Sequence, residues 1–384
     1  MTDLSGHAPG PPPDFEHAKG RRQKARAAGL DPDYWYAVVR ASDLKNGDVI
    51  KTEFWGRSIA VFRGQDGRVR AVENRCAHRH LELTEGEVVD CQLVCPYHGW
   101  KYDGDGTANI PHDLFGHKQP RLKIDSIPVK ERYGLVFMFP GDPEVAKVRD
   151  VPSIPELDGP NPWPHAIVQF DCEGHHSMLL ENVSDFTHGF LHRRFNPFGE
   201  HTLLRCETVG DRVELEYKAK IAAGRLQNMF INRSESACDH MTACFDYPYH
   251  WSSTDGRIKH FLFTLPMNRR ENRHIFIFYV SPEAIKLPLL GPRIPNWLMH
   301  RMMKAQRWVT LQPLLGQDVW VIKREQEGWE KHWHRPAPEL SPVVNAFQDL
   351  TIRKWEEFLA RTAPKDGRVH LQTTPTTSST EASA

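Results

Sequence analysis

Short apolar runs separated by turn residues dominate the first third of the chain. The runs at 37–40, 58–62 and 69–72 read as strands, the last two joined across Gln65-Asp66-Gly67, because β-branched and aromatic residues bounded by Gly and Asp suit a pleated, half-buried surface. The pattern predicts a small antiparallel β domain over 33–140. A stretch with Pro152, Pro155, Pro160, Pro162 and Pro164 then predicts a surface linker over 141–164. Beyond it, alternation at Val213, Leu215 and Tyr217 and the runs 261–265 and 275–280 predict strands. Spacings of three and four predict helices over 179–192, 296–311, 318–327 and 344–359. The class is α+β, with a second domain over 165–362. Residues 1–32, including the basic run 19–26, read as a disordered, solvated lead, and the Thr/Ser-rich residues 363–384 as a disordered tail.

Length and composition narrow the setting. The 384 residues are 40% hydrophobic, enough for two packed cores. Lys plus Arg equals Asp plus Glu at 49 each, so no strong overall field draws in nucleic acid or an anionic membrane. The first twenty residues lack the apolar core of a signal peptide, and a cytoplasmic location is expected. The apolar segment 284–303 is interrupted by Pro288, Pro292 and Pro295 and carries Lys286 and Arg293, which rules it out as one transmembrane helix. The seven cysteines, Cys76, Cys91, Cys95, Cys172, Cys206, Cys238 and Cys244, are odd in number and unevenly spread. Burial or metal binding is expected for them rather than a disulfide framework.

The strongest chemical signal is Cys76-Ala-His78, followed after sixteen residues by Cys95-Pro-Tyr-His98. Each loop offers one thiolate and one imidazole. A [2Fe-2S] cluster with two Cys on one iron and two His on the other needs that inventory. Tetrahedral zinc would accept the same four donors, but zinc knuckles usually begin with a Cys pair. Cys91 and His80 have no partners at matching spacing. Gly86 and Gly99 supply backbone freedom around the two loops.

A second set lies ninety residues after His98, in Glu181-Asn182-Val-Ser-Asp185-Phe-Thr-His188-Gly-Phe-Leu-His192. On a continuous helix, positions 185, 188 and 192 share one face. Two such imidazoles need one carboxylate from elsewhere to complete the facial triad of O2-activating iron(II). Spacing alone leaves Asp318, Asp349, Glu325 and Glu327 open as that carboxylate.

The segment from Cys76 to Gly106, with Cys95-Pro-Tyr-His98-Gly99-Trp100, resembles the Rieske motif of ring-hydroxylating oxygenases, and the second set resembles that family's N-x2-D-x2-H-x3-4-H. His175-His176 depart from the Asn-Trp common in the family. The resemblance implies a Rieske β domain followed by a helix-grip catalytic domain. It implies a [2Fe-2S] cluster on Cys76, His78, Cys95 and His98, and Fe2+ on His188, His192 and Asp318. Asn182 and Asp185 become catalytic residues by the same resemblance, Asp185 beside a metal-bound histidine and facing a Rieske histidine of a neighbouring subunit. A homotrimer is implied. No G-x-G-x-x-G follows a strand, so electrons are expected from an NAD(P)H-dependent reductase, directly or through a ferredoxin. Phe186, Phe190, Leu191, Phe195 and Phe198 suggest a hydrophobic, ring-containing substrate for mono- or dioxygenation or oxidative demethylation.

Overall fold

A computed structural model describes residues 10–114, 116, 118–192, 198–221, 237, 239–285 and 294–363. The lead segment contributes α1 (Arg21–Ala27), and ten strands follow: β1 (Tyr36–Arg40), β2 (Val49–Phe54), β3 (Arg57–Arg63), β4 (Val69–Glu73), β5 (Glu87–Val89), β6 (Gln92–Val94), β7 (Lys101–Tyr102), β8 (Ala108–Asn109), β9 (Val129–Arg132) and β10 (Leu135–Met138). They form three antiparallel sheets ordered β1-β10-β9, β2-β3-β4 and β5-β6-β7-β8. The runs predicted at 37–40, 58–62 and 69–72 lie within β1, β3 and β4. Phe62 and Val72 of β3 and β4 and Leu93 and Tyr102 of β6 and β7 are fully buried in one shared core. The Pro-rich stretch holds two short helices, α2 (Pro143–Val148) and α3 (Pro155–Asp158), each with Pro in its first turn, where its missing N–H has no helical acceptor to lose.

The second domain is one seven-stranded antiparallel sheet. Its strands are β11 (His165–Glu173), β12 (Phe198–Val209), β13 (Arg212–Ile221), β14 (His240–Asp246), β15 (Tyr249–Thr254), β16 (Ile258–Pro266) and β17 (Glu271–Val280), in the order β11-β17-β16-β15-β14-β13-β12. The expected alternation is present, since Val213, Leu215 and Tyr217 are all buried on one face of β13. Register places Leu262 of β16 opposite Phe276 of β17, which in turn faces Val168 of β11. Those three pack under α4 (His176–Ser184), α6 (Gln312–His332) and α7 (Pro342–Thr362) with Leu179, Leu180, Leu315, Ile322 and Phe347. The opposite face, with Phe261, Phe263, Ile275, Ile277 and Tyr279, packs on Trp35, Phe137 and Phe139 of the first domain. Both faces are thus covered, one by helices and one by the first domain. α5 (Asn296–Gln306) runs through a π-turn at Arg307–Leu311 straight into α6.

Two expectations are corrected. The helix predicted through 179–192 ends at Ser184, because Asp185 is extended (φ −104°, ψ 104°) and caps a 3-10 turn, Phe186–Phe190, by accepting from Thr187 N at 3.0 Å. A short acceptor side chain that captures a backbone N–H competes with helix continuation. Residues 185, 188 and 192 therefore do not share one α-helical face. The lead is also not disordered over its whole length: Ala25, Ala28 and Leu30 are fully buried, and a Cβ on Gly29 would lie 2.7 Å from the Trp355 ring. Residues 1–9 and 364–384, Phe195 and Cys238 lie outside the described residues, as does the Phe198 side chain.

Arg26, counted with the solvated run, is the reason α1 is held. Its guanidinium is buried and donates to both Glu181 carboxylate oxygens (2.5 and 2.8 Å), to Glu325 (2.8 Å) and to Ser177 (2.5 Å). Burial opposes its charge, but the two carboxylates outweigh that, and its pKa is raised. Breaking a buried pair from one side leaves an uncompensated charge. Arg26→Met is expected to lower unfolding free energy by about 3–5 kcal/mol in denaturant titrations, with Arg26→Lys intermediate.

Buried histidines set the response to acid. His175 and His176, at the head of α4, are fully buried against Trp55, and His176 Nε2 donates to Ala28 O at 2.8 Å. Burial pushes His176 down to about 4 and holds His175, His250 and His274 well below 6.5. The folded state therefore binds fewer protons than the unfolded one between about pH 6.5 and 4. Stability is full above pH 6.5 and falls as pH drops through that window, by on the order of 3 kcal/mol for His176 alone. Thermal melts from pH 7 to 4.5 check this, and His176→Gln should flatten the slope.

Candidate metal centres

The first centre sits on two loops that flank the β5-β6 hairpin in sequence. Each closes on itself: His80 N donates to Cys76 O at 2.9 Å, and Gly99 N to Cys95 O at 3.0 Å. Gly99 has φ +69°, a left-handed conformation that disfavours other residues. At Gly86 a Cβ would fall 2.0 Å from Val94 O, so only glycine lets β5 and its neighbour approach so closely. Cys76 and Cys95 are each 2% exposed at the base, while His78 lies at the exposed tip. The two Nδ1 atoms face each other at 3.2 Å, and His78 stacks on Trp100 with centroids 4.9 Å apart. Two ring lone pairs aimed at one point, above two buried thiols that form no disulfide, fit a cluster ligated by two sulfurs and two imidazoles. Tyr102 supports the base, its hydroxyl lying 3.1 Å from Cys76 Sγ and accepting from Ala77 N at 2.8 Å. Cys91 lies apart from this base, hydrogen bonded to Asp66.

The second centre joins the chain after α4 to α6. One donor atom from each of His188, His192 and Asp318 lies within 4.8 Å of the others. His188 Nδ1 donates to the Asp185 carbonyl, and His192 Nδ1 donates to Gln317 Oε1 at 2.9 Å. A carbonyl can only accept, so each Nδ1 carries the hydrogen and each ring presents Nε2 as its ligand atom. His192 Nε2 lies 3.3 Å from Asp318 Oδ1, yet Oδ1 makes no aligned hydrogen bond. We read that contact as two donors directed at a common point, since ligands cis about an ion at about 2.1 Å sit about 3 Å apart. Burial holds His188 below its ordinary pKa. At His192 burial acts the same way but is outweighed by Asp318 and Gln317, which leave that ring above it. Cys172, close to Asp318, is pushed up to about 12 by burial and that carboxylate, so it stays a thiol.

The competing carboxylates are engaged elsewhere. Glu325 and Asp349 bond Arg26 and Arg21, and Glu327 pairs with Arg324 one turn away on α6. Asp185 meets the His188 ring through its backbone carbonyl, while its carboxylate accepts from Thr187 N. Asn182 lies in the last turn of α4 with Oδ1 buried and unbonded.

Two family models match: the Rieske [2Fe-2S] domain over residues 34–113 and the vanillate O-demethylase oxygenase C-terminal domain over 172–362. The chain is 36% identical over 351 residues to a 4beta-methylsterol monooxygenase of Methylococcus capsulatus, covering 90% of this chain and 95% of that one. The chain belongs to the Rieske oxygenases. This oxygenase is also 29% identical over 193 residues to the oxygenase component of dicamba O-demethylase of Stenotrophomonas maltophilia, covering 50% of this chain and 56% of that one. The crystal structure of dicamba monooxygenase bound to 3,6-dichlorosalicylic acid shares its fold, with TM-score 0.66 at 18% identity over 87% of this chain and 99% of that one.

Gln317 is the residue that reading from sequence missed. Its place directly before Asp318 was a signal, because successive helical residues diverge by about 100° and can serve a ligand and its orienting partner. Gln317→Leu removes the acceptor that fixes the His192 tautomer. Iron affinity at the second centre is expected to fall about 10–100-fold in chelator competition, with the visible spectrum of the cluster unchanged and Glu327→Gln matching the parent.

Proposed function

We propose that this oxygenase is the terminal component of a multi-protein system that inserts one oxygen atom of O2 at a methyl or ring carbon of a lipophilic polycyclic substrate. The carrying observation is the His188, His192 and Asp318 set in the domain that follows the Rieske cluster loops. Likeness to the 4beta-methylsterol monooxygenase over nearly its whole length supports a sterol-like ring system and monooxygenation over dioxygenation. Aromatic side chains on the helix-facing side of the sheet, Phe170, Phe276 and Phe278, suit such a substrate.

When bound, the cluster supplies single electrons and the ferrous ion activates O2. Two electrons from an NAD(P)H-dependent reductase, with or without a ferredoxin, and two protons carry the second oxygen atom off as water. The chain's own part is to hold and orient: His188 and His192 present Nε2 because their Nδ1 atoms are committed to Asp185 and Gln317. Asp318 supplies the carboxylate that completes the two-imidazole, one-carboxylate donor set suited to iron(II). Asn182 and Asp185 border this loop, and Asp185 is assigned as the link to a Rieske histidine of a neighbouring subunit in a homotrimer. The exposed ring of Tyr97, beside His98, marks the tip at which a redox partner would dock. A cytoplasmic site of action fits the expected reductase, and no described helix is long and apolar enough to cross a membrane.

The test begins with metal and sulfide counts per chain. About three irons and two sulfides, with the Rieske signal in low-temperature EPR after dithionite, are expected. His188→Ala/His192→Ala and Asp318→Ala should each retain the two cluster irons and lose the third. Incubation with a reductase, NAD(P)H, 18O2 and 4-methylsterols should then give one labelled oxygen per product. Zinc in place of iron, or two labelled oxygens, would overturn the reading.

A further inference from the structure

Overall neutrality hides one local asymmetry. Between Glu283 and Asp318 there is no Asp or Glu, while Lys286, Arg293, Arg301, Lys304 and Arg307 fall within that stretch. Its described part is α5 and the π-turn. Trp297, Arg301, Lys304 and Trp308 follow one another at intervals of four, three and four, which puts them on one face. Met299 and Met303 occupy the opposite face and pack on Ala166, Val280 and Phe278 of the sheet. The outward face is wet: Trp297 and Trp308 are 62% and 63% exposed and Val309 71%, with Arg301 and Lys304 exposed between the indoles.

Exposed apolar residues scattered singly are ordinary, but two indoles on one helix face form a patch of the kind that marks an interaction surface. A solvated helix face normally mixes both charge signs, whereas this one carries cations alone, bracketed by tryptophans. Cations over an apolar surface with Trp at the margin are what an interfacial helix needs: anionic headgroups meet Arg and Lys, and indoles settle at headgroup depth. Nucleic acid would satisfy the cations and its bases would stack on indoles, but it gives no solvent for the aliphatic Val309.

We propose that this face of α5 and the π-turn seats the enzyme peripherally on an anionic lipid bilayer. The π-turn continues into α6, whose second turn carries Asp318, so the seated face and the second metal centre belong to one helical unit. A lipophilic substrate held in the bilayer would then leave it next to the domain that oxidises it. That purpose rests on the proposed function; the lipid binding does not.

Vesicle co-sedimentation of the full-length holoenzyme tests it, using phosphatidylcholine alone and phosphatidylcholine mixed with phosphatidylglycerol. Binding to the mixed vesicles, weakened by salt, is expected. Arg301→Glu/Lys304→Glu should bind them at least about tenfold more weakly, since each cation near an anionic surface contributes about fivefold, and Trp297→Ala should bind more weakly at all salt concentrations. Both variants should keep the visible cluster spectrum and the parent's elution volume. Absence of binding to the mixed vesicles, or unchanged binding by the charge variant, overturns the proposal. So does a changed elution volume, which would assign the face to a second copy of the chain. Substrate oxidation in detergent is read in parallel, so that failed vesicle binding in an active enzyme is told apart from failure of the functional reading.

Discussion

One buried guanidinium holds the catalytic domain in register. Arg26 lies between Glu181 on α4 and Glu325 on α6, and each of those residues stands seven positions from an iron-ligand candidate: Glu181 before His188, Glu325 after Asp318. On α6 seven residues are about two helical turns, whereas Glu181 and His188 stand on either side of the break at Asp185. The same two elements are joined again where Gln326 Oε1 accepts from His175 N at 3.0 Å, and Gln348 of α7 donates to Glu181 at 3.1 Å. Three helices and the lead thus converge on the Arg26–Glu181 pair. Without the arginine, the buried Glu181 carboxylate and the half-buried Glu325 carboxylate would repel each other, and relieving that strain would separate α4 from α6.

The two centres share a design despite their different donors. In each, orientation is set by groups that would not themselves touch a metal: Tyr102 at the Cys76 sulfur, Trp100 against the His78 ring, Asp185 and Gln317 on the histidine Nδ1 atoms. Rings and thiols locked from behind need little rearrangement to converge, which limits the entropy lost on metal binding. The difference lies in exposure. The imidazole tip of the cluster loops faces outward for electron exchange, whereas His192 and Asp318 are 2% and 4% exposed, where water is largely excluded.

Much of this was legible in sequence because the informative signals are local. The Cys-x-His and Cys-x2-His loops, the β runs and the alternation on β13 depend on residues a few positions apart. The break at Asp185 was not, since helical spacing continues through His192 and only the capping bond to Thr187 ends the helix. Arg26 was misjudged for a related reason. A basic run in a Pro- and Gly-rich lead has the composition of a solvated arm, and its acidic partners lie 155 and 299 residues downstream. Choosing Asp318 over Glu325, Glu327 and Asp349 from sequence required resemblance to a family, because what separates them physically is that the other three are already paired.

That separation in sequence bears on how the protein is made. A ribosome adding about 5–20 residues per second delivers Glu325 on the order of 15–60 s after Arg26. During that interval the arginine waits in a chain whose catalytic domain cannot close. Helix α1 is therefore held by both of its carboxylate partners only once α6 has been made, and the second metal centre, whose Asp318 lies on that same helix, is completed equally late in synthesis.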